Sequence, residues 1–140
     1  MAGVPPTNAT RLTWQGGHRF EAGTEHGAVT IWSGEDRRSL SPMEAMLSAV
    51  AGCMAIDVVD ILAKMRKTVR AYAVDCEGWR RDELPRKFTL RLTHRVSGLD
   101  VDDVSVARAV ELSQTKYCSA MASLDPGIDV ENVIRVEVLA

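Results

Sequence analysis

The sequence predicts an α+β protein with a largely antiparallel sheet. Strand-like alternation of apolar and polar residues is grouped in three runs, at 11–34, 69–98 and 128–140. Two segments with helical periodicity, 42–67 and 100–118, separate these runs. Strands and helices that are grouped in this way, rather than strictly alternating, are typical of the α+β class. With 140 residues and 46% hydrophobic content, the chain fits one compact domain over residues 1–140.

The first run, RLTWQGGHRFEAGTEHGAVTIWSG, contains three strand-like stretches divided by two glycine-bearing turns. Leu12 and Trp14 are spaced by two, as are Val29 and Ile31, which places each pair on one face of a strand. The pattern predicts an antiparallel meander.

A long helix is predicted to begin at Ser41-Pro42, a capping residue followed by a proline at the first helical position. Apolar residues then recur at steps of three and four over about six turns. They are Met43, Met46, Leu47, Val50, Met54, Val58, Ile61, Leu62 and Met65. Alanine and glycine residues make the first half of this helix narrow, and its surface is apolar or small on nearly every side. We therefore expect an obligate homodimer, in which a second subunit buries this surface. Asp57 and Asp60 are assigned to the polar side.

The remaining elements follow from the same periodicities. The segments VRAYAVDCEGWRRD and RKFTLRLTHRVSG are separated by the turn DELP and predict a hairpin. The segment DVDDVSVARAVELSQTKYC predicts a second amphipathic helix, and a short helical turn, SAMASL, follows it. Its expected apolar stripe consists of Val104, Ala107, Val110 and Leu112. IDVENVIRVEVLA closes the chain as a strand.

Charge and composition exclude several classes of function. The formal net charge of −2 gives no electrostatic case for binding nucleic acid or an anionic membrane surface. The N-terminus has no basic flank followed by an apolar run, and no stretch approaches the roughly 18 apolar residues that a membrane span is expected to need. His18, His26 and His94 are too scattered to predict a metal site. We therefore expect a cytoplasmic protein with small, nearly neutral partners.

The three cysteines argue against a framework of structural disulfides in a cytoplasmic chain. Cys53 lies in an alanine-rich stretch, where a lone cysteine is more often an inert apolar residue than a nucleophile. Cys76 lies in a predicted strand and is assigned a structural role. Cys118 follows QTKY at a helix junction, where unpaired backbone amides and Lys116 favour the thiolate. These residues alone leave open whether Cys53 does chemistry.

The chain resembles the OsmC/Ohr family, the osmotically inducible protein C and organic hydroperoxide resistance group. SPMEAMLSAVAGC is similar to the start of the family's cysteine-bearing helix, and AIDVVDILAKMR to its continuation. ARAVELSQTKYCSAMASL is similar to the segment that carries the second cysteine. The resemblance covers essentially the whole chain, and KYCS, with no proline after Cys118, is closest to the YhfA-like branch.

This resemblance implies an OsmC-like fold, in which a curved, largely antiparallel sheet packs on two main helices of an intertwined homodimer. It also implies a thiol-dependent peroxidase that reduces organic hydroperoxides in oxidative or osmotic stress defence. Cys53 matches the cysteine that attacks the peroxide, and Cys118 matches the cysteine that resolves the sulfenic acid as a disulfide. A dithiol or small-thiol reductant restores the thiols, and no metal or other cofactor is required.

Two features depart from the well-characterised branch of the family. That branch has a glutamate directly after the proline, hydrogen-bonded to an arginine that holds the cysteine as a thiolate. Here Met43 takes that place and Glu44 follows it, and a shift of one residue turns a side chain by about 100° around a helix. For the arginine, Arg19 is the first candidate, and Arg37 and Arg38 are alternatives. If peroxidase activity is absent, the alternative is a non-catalytic dimer that binds a small apolar ligand between its subunits.

Overall fold

The structure is a computed structural model that describes residues 2–139. These residues divide into two compact units, with the boundary between Met46 and Leu47. The strands are β1 (Arg11–Trp14), β2 (Arg19–Thr24), β3 (Gly27–Trp32), β4 (Thr68–Arg80), β5 (Phe88–Leu99) and β6 (Val130–Val138). The helices are α1 (Pro42–Lys64), α2 (Asp103–Leu112) and α3 (Ser119–Ala122), with a π-helix (Ser113–Tyr117) between α2 and α3. The predicted α+β class is confirmed.

The first unit is built on the predicted antiparallel meander. β2 lies between β1 and β3, with Phe20 opposite Trp14 on one side and Ile31 on the other. Gly16 and Gly17 make the turn from β1 to β2 with φ angles of 100° and 54°, a region of backbone space that favours glycine. The loop after β3 then leads to the start of α1.

Helix α1 begins with a capping box that joins Ser41 and Glu44. The Glu44 carboxylate accepts a hydrogen bond from the Ser41 backbone N–H at 2.9 Å, and Ser41 Oγ accepts one from the Glu44 N–H at 3.1 Å. These two bonds satisfy donors that a helix N-terminus otherwise leaves unpaired. The sequence signal S-x-x-E therefore fixes where the helix starts.

From Leu47 onward, α1 belongs to the second unit and contributes to its core. Its buried residues are Val50, Met54, Val58 and Leu62. By length and composition α1 would be able to cross a membrane, so the expectation that no stretch approaches a membrane span was wrong. A core helix of a soluble protein meets the same test, and the indication is therefore weak.

The second unit contains a separate three-stranded sheet in the order β4-β5-β6. β4 and β5 form the predicted antiparallel hairpin. Leu90, Leu92, His94 and Val96 alternate along β5 and are all buried, so this face of the sheet meets the core. Two three-stranded sheets thus replace the single curved sheet that the sequence analysis expected.

β6 pairs with β5 in parallel, which the sequence analysis did not foresee. Residues 100–129, with α2 and α3, form the connection between these two strands. Parallel neighbours need such a crossover, because a tight turn can join only antiparallel strands.

The buried side of α2 differs from the predicted stripe. Val106, Ala109 and Val110 are buried, whereas Val104 is 80% exposed. The buried set follows the i, i+3, i+4 spacing of a helix face. The prediction was wrong for Val104 and Ala107 because it set the register from residues in the first, exposed turn.

Candidate active site

Cys53 lies on α1, between Gly52 and the fully buried Met54. Its side chain is partly exposed and packs against the core of the second unit. A thiol in this position is held by its neighbours and yet has access to solvent. Both are required of a cysteine that meets a substrate from outside.

Cys118 lies where the π-helix ends and α3 begins, and it is only 2% exposed. Its backbone N–H donates to the Ser113 carbonyl at 2.8 Å. Its sulfur accepts a hydrogen bond from the Met121 N–H at 3.3 Å and so caps α3. The thiol is thus fixed by the backbone on both sides.

The two thiols are neighbours, although they are far apart in the sequence. Burial raises the pKa of the Cys118 thiol to about 11. The same value includes the hydrogen bond and charge interaction with the Cys53 side chain, which raise the pKa, and the hydrogen bonds from the N–H groups of Met121 and Ala120, which lower it. Cys118 is therefore protonated at neutral pH, and its side chain lies near enough to that of Cys53 for the two to interact.

Asp57 reaches the segment that carries Cys118. Its Oδ2 accepts a hydrogen bond at 2.9 Å from Oγ of Ser113, which is fully buried. The sequence analysis assigned Asp57 to the polar side of the helix and gave it no role. An aspartate one helical turn after the cysteine was the available signal, because residues i and i+4 share a face.

A chain of polar groups, centred on the buried His94, crosses the sheet near the same segment. The Tyr72 hydroxyl lies 2.7 Å from Nδ1 of His94, and Nε2 of His94 lies 3.0 Å from Oδ1 of Asn132. The Asn132 amide N–H in turn donates to Oε1 of Gln114 in the π-helix. Every group has a partner if Tyr72 donates to His94 and His94 donates to Asn132. A histidine on the apolar face of β5 was the sequence signal for this network.

Glu44 pairs with Arg37 rather than with Arg19. Arg37 donates to both carboxylate oxygens, at 2.5 and 3.2 Å, and also to the Ser39 carbonyl at 3.1 Å. The Arg37 hydrogen bonds, followed by the bond from the Ser41 N–H, lower the pKa of Glu44. Glu44 is thus a constitutive carboxylate at the start of α1.

Arg19 has other partners within the first unit. Its guanidinium lies over the Trp32 ring, 5.2 Å from the ring centroid, and donates to the Gln15 carbonyl at 3.3 Å. Arg38 is exposed. The sequence-based choice of Arg19 as the partner of Glu44 is therefore corrected to Arg37, because the loop before α1 places Arg37 beside the helix start. A role for Arg19 at the cysteines stays a prediction.

Cys76 lies in β4 opposite Leu92, in a different element from either of the other cysteines. Burial, followed by the charge of Glu77, raises its pKa. Between residues 2 and 139, no group of three or more His, Cys, Asp or Glu side chains is placed to hold a metal ion.

A small cavity of about 210 Å³ lies between α1 and β4, lined by Ala51, Gly52, Ala55, Tyr72 and Val74. Pockets for small-molecule ligands usually measure roughly 300 Å³ or more. This cavity alone is therefore too small for a typical small-molecule ligand.

Comparison with known proteins identifies related chains. Residues 34–132 match the family described as OsmC-like protein. Protein YhfA of Escherichia coli K12 is 40% identical over 132 residues, which cover 90% of this chain and 96% of YhfA.

Solved structures share the fold over nearly the whole chain. A hypothetical protein from Aquifex aeolicus VF5 has a TM-score of 0.86 at 25% identity, covering 97% of this chain and all of that one. The organic hydroperoxide resistance protein OhrB of Bacillus subtilis has a TM-score of 0.68, covering 93% of this chain and all of OhrB. Its identity of 13% shows a common fold and no more.

Proposed function

The chain belongs to the OsmC-like protein family, and on that premise we propose that it is a thiol-dependent peroxidase acting on organic hydroperoxides. The different burial of Cys53, which is partly exposed, and Cys118, which is buried and has Cys53 among the groups that raise its pKa, supports the proposal most directly. Relatives of the same fold include organic hydroperoxide resistance proteins. The expected setting is defence against oxidative or osmotic stress.

The different surroundings of the two thiols support different roles. The attacking species must be a thiolate that can meet the peroxide, and Cys118 is both buried and protonated at neutral pH. Cys53 therefore attacks. Its thiolate takes the distal oxygen of the hydroperoxide to become a sulfenic acid, and the remaining alkoxide takes up a proton and leaves as an alcohol.

Cys118 then resolves the sulfenic acid before it is oxidised further to irreversible acids. Its sulfur displaces the hydroxyl group from the Cys53 sulfur, so that a disulfide forms and water leaves with the thiol proton. A dithiol or small-thiol reductant regenerates both thiols by exchange and is itself oxidised to a disulfide. The chemistry needs no metal or organic cofactor.

The resemblance also assigns Glu44 and an arginine to the site, and we keep that assignment as a separate hypothesis. Glu44 and Arg37 supply the carboxylate–guanidinium pair that this role requires. The same carboxylate closes the capping box, so its contacts have a sufficient structural explanation. Replacing Glu44 separates the two roles.

We further propose a cytoplasmic homodimer. Ile56 and Val59 project from α1 with 66% and 44% of their surface exposed, which is unusual for adjacent apolar residues of a central helix. A reducing compartment suits a protein whose three cysteines are free thiols in the structure. Its remaining partners are the hydroperoxide and the thiol reductant.

The proposed function is tested by peroxide consumption with a dithiol as reductant. Wild-type protein should consume cumene hydroperoxide catalytically with dihydrolipoamide or dithiothreitol present, and Cys53→Ser should lower the rate to that of the buffer. Cys76→Ser is the matched control, because it removes another partly exposed thiol and should keep the rate within about twofold of wild type. Equal rates for Cys53→Ser and wild type would refute the proposal.

A further inference from the structure

Cys53 and Cys118 are linked by a second route, which runs through Asp57 and Ser113. Asp57 follows Cys53 by one helical turn, so both side chains lie on the same side of α1. The Asp57 carboxylate accepts a hydrogen bond from the Ser113 hydroxyl, with 2.9 Å between the oxygen atoms. The Ser113 carbonyl oxygen accepts a hydrogen bond from the Cys118 backbone N–H, with 2.8 Å between oxygen and nitrogen. Hydrogen bonds therefore connect the helix that carries Cys53 to the backbone of Cys118.

The π-helix gives this route its geometry. An α-helix pairs an N–H with the carbonyl four residues earlier, but the Cys118 N–H pairs with Ser113, five residues earlier. A π-helix accommodates one extra residue per turn, and such turns are frequent at functional sites. The wider turn begins at Ser113, the residue that Asp57 holds, and ends at Cys118.

The next residue of the π-helix is held from the sheet. Gln114 accepts a hydrogen bond from Asn132 of β6, whose own carbonyl oxygen is paired with the buried His94. The first two residues of the π-helix are thus attached to two different parts of the core. The far end, with Thr115, Lys116 and Tyr117, is exposed.

We propose that Asp57 and Ser113 are positioning residues, which hold the Cys118 thiol against Cys53 for disulfide formation. The inference rests on the proposed function, in which this disulfide resolves the sulfenic acid. Neither side chain contacts the hydroperoxide. Asp57 fixes the start of the π-helix relative to α1, and the backbone bond from Ser113 transmits that position to Cys118.

The energetic consequence concerns how often the two sulfur atoms meet. A thiol held beside its reaction partner acts at a high effective concentration, which falls steeply when the geometry loosens. Without the Asp57 hydrogen bond, the π-helix can move relative to α1 while the rest of the fold is kept. The disulfide then becomes less favourable relative to the dithiol, and its formation becomes slower.

The experiment measures the equilibrium between the dithiol and the Cys53–Cys118 disulfide in a glutathione redox buffer, by intact mass after acid quenching. Asp57→Ala and Ser113→Ala should each lower the equilibrium constant for disulfide formation at least tenfold, about 1.4 kcal/mol by conversion. Asp57→Asn keeps an oxygen that accepts the Ser113 hydroxyl and should stay within about threefold of wild type. Circular dichroism establishes that each variant is folded.

Thr115→Val is the matched control. It removes the hydrogen bond from the Thr115 hydroxyl to the Glu111 carbonyl, in the same π-helix but on its exposed side. Its equilibrium constant should equal that of the wild type. If Ser113→Ala does not fold, the comparison of Asp57→Ala with Asp57→Asn decides the question, because Asp57 is only partly buried.

The redox buffer contains no peroxide, so the outcome is independent of peroxidase activity. A protein that fails to reduce cumene hydroperoxide but shows the predicted order of equilibrium constants retains the positioning role and loses the proposed function. Unchanged constants in Asp57→Ala and Ser113→Ala overturn the positioning role. So does an Asp57→Asn variant as impaired as Asp57→Ala, because charge rather than hydrogen bonding would then be responsible. A wild-type protein that forms no Cys53–Cys118 disulfide overturns both.

Discussion

His94 combines full burial with two hydrogen bonds to uncharged partners. Its Nδ1 pairs with the Tyr72 hydroxyl and its Nε2 with Asn132. Burial, partly offset by the Asn132 hydrogen bond, lowers the pKa of His94 from its ordinary value of 6.5. The neutral ring is therefore the form that fits, because Nδ1 of a protonated ring could no longer accept a hydrogen bond from the Tyr72 hydroxyl.

This lowered pKa predicts how stability depends on pH. In the unfolded chain His94 takes up a proton as the pH falls through about 6.5, whereas the folded protein resists that proton. The free energy of unfolding should thus decrease below about pH 6.5, with a slope of at most about 1.4 kcal/mol per pH unit from this residue. Urea unfolding of wild type and His94→Gln between pH 7.5 and 5.5 measures the effect.

The curve for His94→Gln should be flatter than that of the wild type, since glutamine keeps a donor and an acceptor but does not titrate. His26→Gln is the control, because His26 has 86% of its side chain exposed. Its curve should run parallel to the wild-type curve. Parallel curves for wild type and His94→Gln would contradict the account.

The Ser41–Glu44 capping box predicts a division between stability and thiol chemistry. Ser41→Ala removes the acceptor of the Glu44 N–H and should lower the free energy of unfolding by about 1 kcal/mol. Glu44→Gln should also destabilise the protein, because it loses the ionic bonds to Arg37. Ser41→Ala should keep the wild-type rate of iodoacetamide alkylation at Cys53, whereas Glu44→Gln should slow it at least tenfold if the carboxylate also orients an arginine at the thiol.

The pH profile of that alkylation is the deciding measurement. Profiles of wild type and Glu44→Gln that superimpose would remove Glu44 from the active site. A Glu44→Gln variant that is at least tenfold slower in both alkylation and peroxide reduction would instead support the role that the family resemblance implies.

At the scale of elements, β4 and β5 approach each other closely at Gly98. A Cβ atom placed there would lie 2.0 Å from the Thr68 carbonyl oxygen, which belongs to the backbone and cannot rotate away. The strands are also in irregular register nearby, between Val69 and Ala71. Gly98 is therefore required by the close approach of one strand to the other.

Gly98→Ala should accordingly destabilise the protein. We expect the free energy of unfolding to fall by about 2 kcal/mol or more, because the two strands must separate to admit the methyl group. Gly27→Ala in β3 is the control, as nothing lies within 4 Å of the added atom, and its effect should stay within about 0.5 kcal/mol. Urea denaturation measures both, and equal stabilities for the two variants would contradict this description of the hairpin.

The sequence predicted those elements whose signals are local. The start of α1 follows from Ser41-Pro42, and its length follows from a repeat of three and four residues. The meander and hairpin follow from alternation and from turn residues. In contrast, the parallel pairing of β6, the π-helix before Cys118 and the Asp57–Ser113 bond depend on contacts between distant segments, and no local pattern specifies them.

The site was predictable to the same extent. The family resemblance singled out Cys53 and Cys118 from their segments, and the Cys53 side chain is among the groups that raise the pKa of Cys118; their pairing as a disulfide stays a prediction. The resemblance could not identify the partner of Glu44, because Arg19, Arg37 and Arg38 could each reach it, depending on the path of the loop before α1. The choice among them depends on how residues 33–41 fold back, which tertiary structure decides.

At the scale of the whole molecule, the exposed side of α1 predicts self-association. Ile56 is 66% exposed on a helix that is otherwise apolar or small over much of its length. Sedimentation velocity at micromolar concentration should show a dimer, and Ile56→Arg should shift it toward monomer. Val104→Arg, which alters an apolar residue of α2 that is 80% exposed, should leave the dimer intact. A stable folded wild-type monomer would contradict this expectation.

The central claim, that Cys53 and Cys118 form one redox pair, is tested most directly by peptide mapping after oxidation with limiting cumene hydroperoxide. Wild-type protein should lose two thiols per subunit and yield a Cys53–Cys118 disulfide within one chain, identified by mass spectrometry without reduction. Cys118→Ser should instead stop at a sulfenic acid on Cys53 that dimedone traps. A wild-type protein in which neither thiol is oxidised, or in which Cys76 takes part in the disulfide, would contradict the account.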